Sequence, residues 1–167
     1  MEQSTQQQFF GEIIEQHKGI LLRVARIYCP HHDDRQDLIQ EIMIQIWQSL
    51  HKYNNQFKMS TFLYRIALNV AITFFRKNTR RRNRHHTLDD QVLLISADTG
   101  PGKEQQLNYL EKFINELKEI DKALMLLYLE DKSHAEIAEI MGISVSNVGT
   151  RIGRIKERIK ARFSQLK

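Results

Sequence analysis

Apolar residues return every three or four positions through almost the whole chain, and nowhere does an apolar–polar alternation persist for the length of a strand. Leu38, Ile42, Ile46 and Leu50 make one such stripe; Val145, Val148, Ile152, Ile155 and Ile159 make another. At 3.6 residues per turn each set falls on one side of a helix, so the only way to bury it is helix against helix. Only 2 prolines and 7 glycines interrupt the 167 residues, which leaves room for long helices. The expected class is all-α.

Punctuation in the sequence divides that helical pattern. A first helix is expected from about Gln7 to Tyr28, ended by Cys29-Pro30, and a second from near Asp33. A polar loop from His51 to Met59 follows, and Ser60 can cap a third helix whose buried face is read as Leu63, Ile66, Ala67, Val70 and Phe74. From Asn83 to Lys103 the chain reads NRHHTLDDQVLLISADTGPGK, which has no sustained period and is rich in turn formers. Helices near Glu104–Leu117 and Asp121–Leu129 come next. The layout is therefore two small helical domains, 1–84 and 104–167, joined by a flexible linker, 85–103.

Charge narrows the function. The formal net charge is +5, and it is concentrated. Arg76, Lys77, Arg80, Arg81, Arg82 and Arg84 form one cluster without an acid among them; Arg151, Arg154, Lys156, Arg158, Lys160, Arg162 and Lys167 form a second around the single Glu157. Two separated basic patches fit a polyanion touched at two places. With one cysteine, Cys29, no internal disulfide can form, which points to a reducing compartment. MEQSTQQQFF lacks the charged start and apolar core of a signal peptide, and no apolar run approaches the roughly 18 residues of a membrane span. A cytoplasmic protein without membrane insertion is expected.

The stretch SHAEIAEIMGISVSNVGTRIGRIKE carries the second patch. Ser133 and Glu136 have capping-box spacing, and Ala135, Ile137, Ala138 and Met141 are read as the inner face of a short helix. Gly142 suits a left-handed stop, and Ser144 can cap the next helix. That next helix presents Ser146, Asn147, Thr150, Arg151 and Arg154 away from its apolar side. A short helix, a glycine turn and a second helix with small polar and basic residues near its start is the helix-turn-helix pattern. Asn and Arg can read base edges, while Ser and Thr bind phosphates.

The N-terminal half adds two more candidate surfaces. Asp37, Gln40, Glu41, Ile44 and Gln48 share a helix face opposite the buried stripe, an acidic and amide-rich strip with an exposed isoleucine that suits a protein partner. Arg65, Asn69, Thr73 and Lys77 repeat at four-residue spacing and lead into Arg76 and Arg80. The loop before them holds Tyr53, Asn54, Asn55, Gln56 and Phe57: aromatics for stacking, amides for an exposed base edge.

Here the sequence resembles a known family. DLIQEIMIQIWQSL, from Asp37 to Leu50, followed by FKMSTFLYRIALNVAITFFRK, from Phe57 to Lys77, looks like domain two of bacterial sigma factors of the extracytoplasmic-function group, within the sigma-70 family. The C-terminal hairpin is similar to the same group's domain four. The resemblance implies a dissociable subunit that binds RNA polymerase core, at the clamp helices of the largest subunit and at the flap. It implies recognition of double-stranded promoter DNA by domain four, and melting and capture of single-stranded DNA by domain two. In that reading Asp37, Gln40, Glu41, Ile44 and Gln48 bind core. The Tyr53–Phe57 loop, Arg65, Asn69, Thr73, Arg76, Lys77 and Arg80 hold the downstream element and a flipped base. Ser146, Asn147, Thr150, Arg151 and Arg154 read the upstream element. An anti-sigma partner is implied, and Asp89 and Asp90 of the linker could mimic nucleic-acid charge. Phe62 stands where the family often has tryptophan, and Gly149 and Gly153 where many relatives carry larger or basic residues.

Other chemistries fit less well. Asp33-Asp34-Arg35-Gln36-Asp37 superficially matches an aspartate-rich magnesium motif, but no second metal motif follows. Cys29, His31 and His32 lack a fourth ligand at suitable spacing, although His85 and His86 could approach in space. No nucleophile–base pair and no phosphate-cradling glycine loop is present, so neither catalysis, metal nor cofactor is expected. The rival reading is an autonomous dimeric helix-turn-helix regulator, which has no need of a second basic helix beside an aromatic loop.

Overall fold

The computed structural model of the chain describes residues 2–85 and 101–165. It divides into two units, Met1–His85 and His86–Lys167. Among the described residues the regular elements are all helical. Asp89 and Asp90 lie outside the described residues.

The first unit packs α1 (Glu2–Tyr28), α2 (His32–Ser49) and α3 (Met59–His85) against one another. Helix α1 starts earlier than its apolar spacing suggests. Glutamine and glutamate are good helix formers, and Gln8 Nε2 donates to Glu12 Oε1 at 3.3 Å, one turn on. Its buried residues, Ile13, Ile20, Leu21, Val24, Ala25 and Tyr28, follow the helical period. The helix stops at Tyr28 because the residue before a proline avoids the helical region. Arg35 then closes the corner: its Nε donates to the Cys29 carbonyl at 3.1 Å and its Nη2 to the Pro30 carbonyl at 3.0 Å. Cys29 itself is buried, as a small thiol ahead of a helix-ending proline should be.

Helix α2 has no side-chain cap; Asp33 and Asp34 in its first turn complement the helix dipole instead. Leu38, Ile42 and Ile46 are fully buried, and Leu50 continues the stripe in a 3-10 turn, Leu50–Lys52. Each such side chain stabilises the unit by about 1.5–3 kcal/mol. Edge-to-face ring pairs, Phe10 on Trp47 at 5.2 Å and Tyr28 on Phe75 at 6.0 Å, extend the core to either side.

Helix α3 departs from its sequence reading in two ways. It begins at Met59, the Phe62 amide already bonding the Lys58 carbonyl, so Ser60 sits inside the first turn and does not cap it. Its buried face is Leu63, Tyr64, Ala67, Leu68, Ala71 and Ile72; Ile66, Val70 and Phe74 are only half-buried. The helix carries apolar stripes on both sides of Leu63–Ala67–Ala71, and periodicity alone cannot choose between them. Packing against both α1 and α2 selects Tyr64, Leu68 and Ile72.

The second unit comprises α4 (Pro101–Glu116), α5 (Glu119–Leu129), α6 (His134–Met141) and α7 (Val145–Ser164). Helix α5 is its centre: the run Lys122 to Leu127 is buried on every side. A left-handed Asp131, φ 58°, turns the chain out of α5, a conformation that a short acidic side chain tolerates. Ser133 then caps α6, its Oγ accepting from the Glu136 amide at 3.1 Å, while the Glu136 carboxylate reaches back to that hydroxyl at 3.3 Å. Gly142, φ 69°, ends α6, and both its N–H and that of Ile143 donate to the Ala138 carbonyl. The inner face of α6 is Ile137, Ala138 and Ile140; Ala135 is exposed and Met141 half-buried, contrary to the sequence reading. Two turns of helix are too few for spacing to fix which apolar residues face inward.

Candidate nucleic-acid interface

Helix α7 is held by its apolar side and offers the other. Ser144 caps it, accepting from the Asn147 amide at 3.1 Å. Val148, Ile152 and Ile155 are buried, Ile159 is half-buried and Val145 stays exposed. That anchoring leaves Ser146, Asn147, Thr150 and Arg154 exposed along the first half of the helix. Thr150 Oγ1 donates back to the Ser146 carbonyl at 2.9 Å, which leaves its lone pairs as acceptors. Arg151 is half-buried, its Nε donating to Asn147 Oδ1 at 3.2 Å.

The second basic patch splits by role. Lys156 lies over the Tyr128 ring at 4.3 Å, and Arg158 and Arg162 lie over Phe113 at 5.6 and 5.5 Å. Arg162 also pairs with Glu116. These cations fasten the far half of α7 to α4 and α5, each contact contributing about 0.5–1 kcal/mol at an exposed site. Arg154, by contrast, makes no ion pair or ring contact among the described residues and projects into solvent.

Gly149 and Gly153 stand on the exposed half of α7. A Cβ added at Gly149 would meet the His134 ring at 3.6 Å, an ordinary contact, and one at Gly153 would meet nothing within 4 Å. Neither glycine is required by packing or by backbone conformation. Gly153→Ala is therefore expected to stabilise the second unit by about 0.5–1 kcal/mol, read as a higher melting temperature for the purified protein.

In the first unit the loop after α2 is braced by its own aromatics. The Tyr53 hydroxyl donates to the Phe57 carbonyl at 2.9 Å, the Tyr53 ring packs on Phe62 at 5.1 Å, and the Arg65 guanidinium lies 4.4 Å over the Phe57 ring. Phe62 thus joins the aromatic cluster as an ordinary packed ring. Asn54 Oδ1 accepts from the Gln56 amide at 3.2 Å, and Asn55 takes a left-handed φ of 61°. The outcome is a hydrogen-bonded turn whose rings are half-buried and whose amides, Asn54, Asn55 and Gln56, are exposed.

Asn69, Thr73, Arg76, Lys77 and Arg80 are exposed along α3. Beside them an open groove of about 650 Å³ runs between α2 and α3. Half-buried Ile66, Val70 and Phe74 form its floor, and Asn69, Thr73 and Lys77 its α3 rim. Glu41, Gln45 and Ser49 supply the opposite rim. The groove therefore joins one member of the acidic strip to the basic helix, and adds Gln45, Ser49, Asn78 and Arg81 to the candidate residues. Sequence reasoning counted Arg81 in the basic cluster but passed over Gln45, Ser49 and Asn78, because it placed Ile66, Val70 and Phe74 in the core. The rest of the strip, Asp37, Gln40, Ile44 and Gln48, is exposed, with Ile44 at 56%.

Among the described residues no group of three or more His, Cys, Asp or Glu side chains could hold a metal ion. Nor is any helix among them long and apolar enough to cross a membrane. A capped helix-turn-helix offering polar and cationic groups, on one chain with a three-helix unit that carries a second cationic helix, defines a two-module helical protein for handling DNA.

Comparison with known proteins gives that class a family. Residues 13–81 match the model of Sigma-70 region 2, and residues 107–159 that of Sigma-70, region 4. The chain is 30% identical to the ECF RNA polymerase sigma-E factor of Haemophilus influenzae over 146 residues, 80% of this chain and 77% of the relative. It is 28% identical to RNA polymerase sigma factor SigV of Bacillus subtilis, covering 91% of this chain and 89% of that protein. In fold it is similar to the Bartonella quintana sigma factor RpoE, solved in complex with the anti-sigma factor NepR. The TM-score is 0.72 at 20% identity, over 92% of this chain and 97% of that one. The chain belongs to the sigma-70 family, in its extracytoplasmic-function group. It is an RNA polymerase sigma factor, and nothing in these comparisons favours an autonomous dimeric regulator.

Proposed function

We propose that the two units divide promoter handling between them, with 1–84 as domain two, 104–167 as domain four and 85–103 as the linker, whose two ends are already helical in α3 and α4. Domain two grips core through Asp37, Gln40, Glu41, Ile44 and Gln48. Its Tyr53–Phe57 loop and the α3 residues Arg65, Asn69, Thr73, Arg76, Lys77 and Arg80 hold the downstream element and its separated strand. Domain four reads the upstream duplex through Ser146, Asn147, Thr150, Arg151 and Arg154. What carries this reading is the order of two sigma-family segments on one chain, each supplying exposed polar and cationic residues on a helix fixed by its apolar face.

The physical division follows from rigidity. The loop amides Asn54, Asn55 and Gln56 sit on a turn locked by Tyr53 and Phe57, so capture of an unstacked base costs little further ordering. Strand separation then needs no nucleotide hydrolysis, because base capture returns the unstacking cost of a few kcal/mol. The protein acts in the cytoplasm, without catalysis, metal or cofactor of its own. An anti-sigma protein holds it in reserve, as NepR is found bound to its relative.

Run-off transcription with purified core on a pool of genomic fragments tests this reading. Discrete start sites that require the added protein support it; the same pattern with and without the protein contradicts it. Arg154→Ala is expected to lower the slope of log affinity against log salt by about 0.9 in the core–promoter complex, one duplex phosphate contact. An unchanged slope removes Arg154 from the backbone.

A further inference from the structure

One acid of the second unit lies beside the reading helix without belonging to it. Asp121, in the first turn of α5, places Oδ1 3.8 Å from Nη1 of Arg151. Its side chain is only 19% exposed, against 41% for that of Arg151. Arg151 in turn gives its Nε–H to Asn147 Oδ1 at 3.2 Å. The guanidinium thus hydrogen-bonds an amide of its own helix and lies at ion-pair distance from an acid of α5. Its Nη2 and the Asn147 NH2 group make no hydrogen bond among the described residues, and both are donors. An exposed arginine held on no side samples many rotamers; these two contacts favour one of them.

We infer that Asp121 is a positioning residue for promoter discrimination: through Arg151 it fixes the Arg151–Asn147 pair as one donor unit that reads a base edge of the upstream element. The inference rests on domain four being the upstream reader. Asp121 touches no DNA in this account. Without it, Arg151 is free to swing to the nearest phosphate, which gains charge contact and loses sequence information. The ordinary alternative for Asp121 is helix-dipole stabilisation at the start of α5, where Glu119 stands two residues earlier and is equally suited.

The test compares base preference, not affinity alone. The full chain with core polymerase selects from a DNA pool with a randomised duplex upstream of a fixed downstream element, and the recovered sequences give a preference profile. Arg151→Ala is expected to flatten the profile at the base pairs it reads by on the order of ten-fold. Asp121→Asn, nearly isosteric, is expected to flatten the same positions by a similar factor, and Asp121→Glu to restore part of the preference. Glu119→Gln is expected to leave the profile unchanged. In an Arg151→Ala background, Asp121→Asn should change nothing further, because the two act as a unit.

If Asp121→Asn only lowers the melting temperature, or weakens all sequences equally, Asp121 is structural and the inference is overturned. The same holds if its effect persists undiminished beside Arg151→Ala, which would mean a general change of charge. If instead no substitution at Ser146, Asn147, Arg151 or Arg154 moves the profile, the upstream reading itself has failed, a result distinct from either.

Discussion

Replacing Asp37 and Glu41 together by lysine is expected to abolish transcription by removing affinity for core polymerase. Both carboxylates are exposed on α2, on the side opposite Leu38 and Ile42, and neither makes an ion pair among the described residues. The fold does not depend on them, so stability should change by less than about 0.5 kcal/mol. At an interface the same changes turn attraction into like-charge opposition. Two reversals at about 2 kcal/mol each amount to a loss of roughly a thousand-fold in affinity. Titration of labelled core measures it. Binding at the wild-type level with an unchanged melting curve would take the acidic strip out of the core interface.

The second large effect is electrostatic and lies on α3. Arg76, Lys77 and Arg80 are exposed over the helix's later turns. Replacing all three by alanine keeps helix propensity and removes three candidate phosphate contacts. If these contacts lie on duplex DNA, the salt slope of the core–promoter complex should fall by about 2.7; if on the separated strand, by about 2.1. The open complex should weaken steeply at physiological salt, while binding to core, which we propose runs through α2, should persist. A slope unchanged by the triple substitution would mean that this helix does not follow the DNA backbone. Comparing the double substitution on α2 with the triple one on α3 therefore separates assembly from DNA handling.

How far the sequence discloses such a protein depends on how local the deciding interaction is. Caps and stops are local, and Ser133, Gly142 and Ser144 behave as their neighbours in sequence require. The stripe Leu38, Ile42, Ile46 and Leu50 was legible because the opposite face of α2 is polar. On α3 the same reasoning failed, since apolar residues flank both sides of Leu63 and Ala67 and only the partners α1 and α2 decide between them. That choice has consequences for the site. Ile66, Val70 and Phe74, read as core, instead floor the groove whose rims carry Glu41, Asn69, Thr73 and Lys77.

The basic cluster near the C-terminus taught a related lesson. Sequence could count its charges but could not tell Arg154, which faces solvent, from Lys156, Arg158 and Arg162, which lie over Tyr128 and Phe113. Those contacts bridge residues far apart in the chain. The same is true of Asp121 and Arg151, whose approach has no signature in spacing at all. The aromatic loop is intermediate: its composition was plain, but the inward turn of Tyr53 and Phe57 follows from bonds that only the folded unit displays.

The most direct measurement is a footprint of a promoter fragment taken from the run-off experiment, made with the chain alone, with core alone and with both. Protection over two separated elements, with bases between them reactive as single strands, should appear only when both are present. A sharp, sequence-specific footprint produced by the chain in the absence of core, unchanged when core is added, would contradict the account.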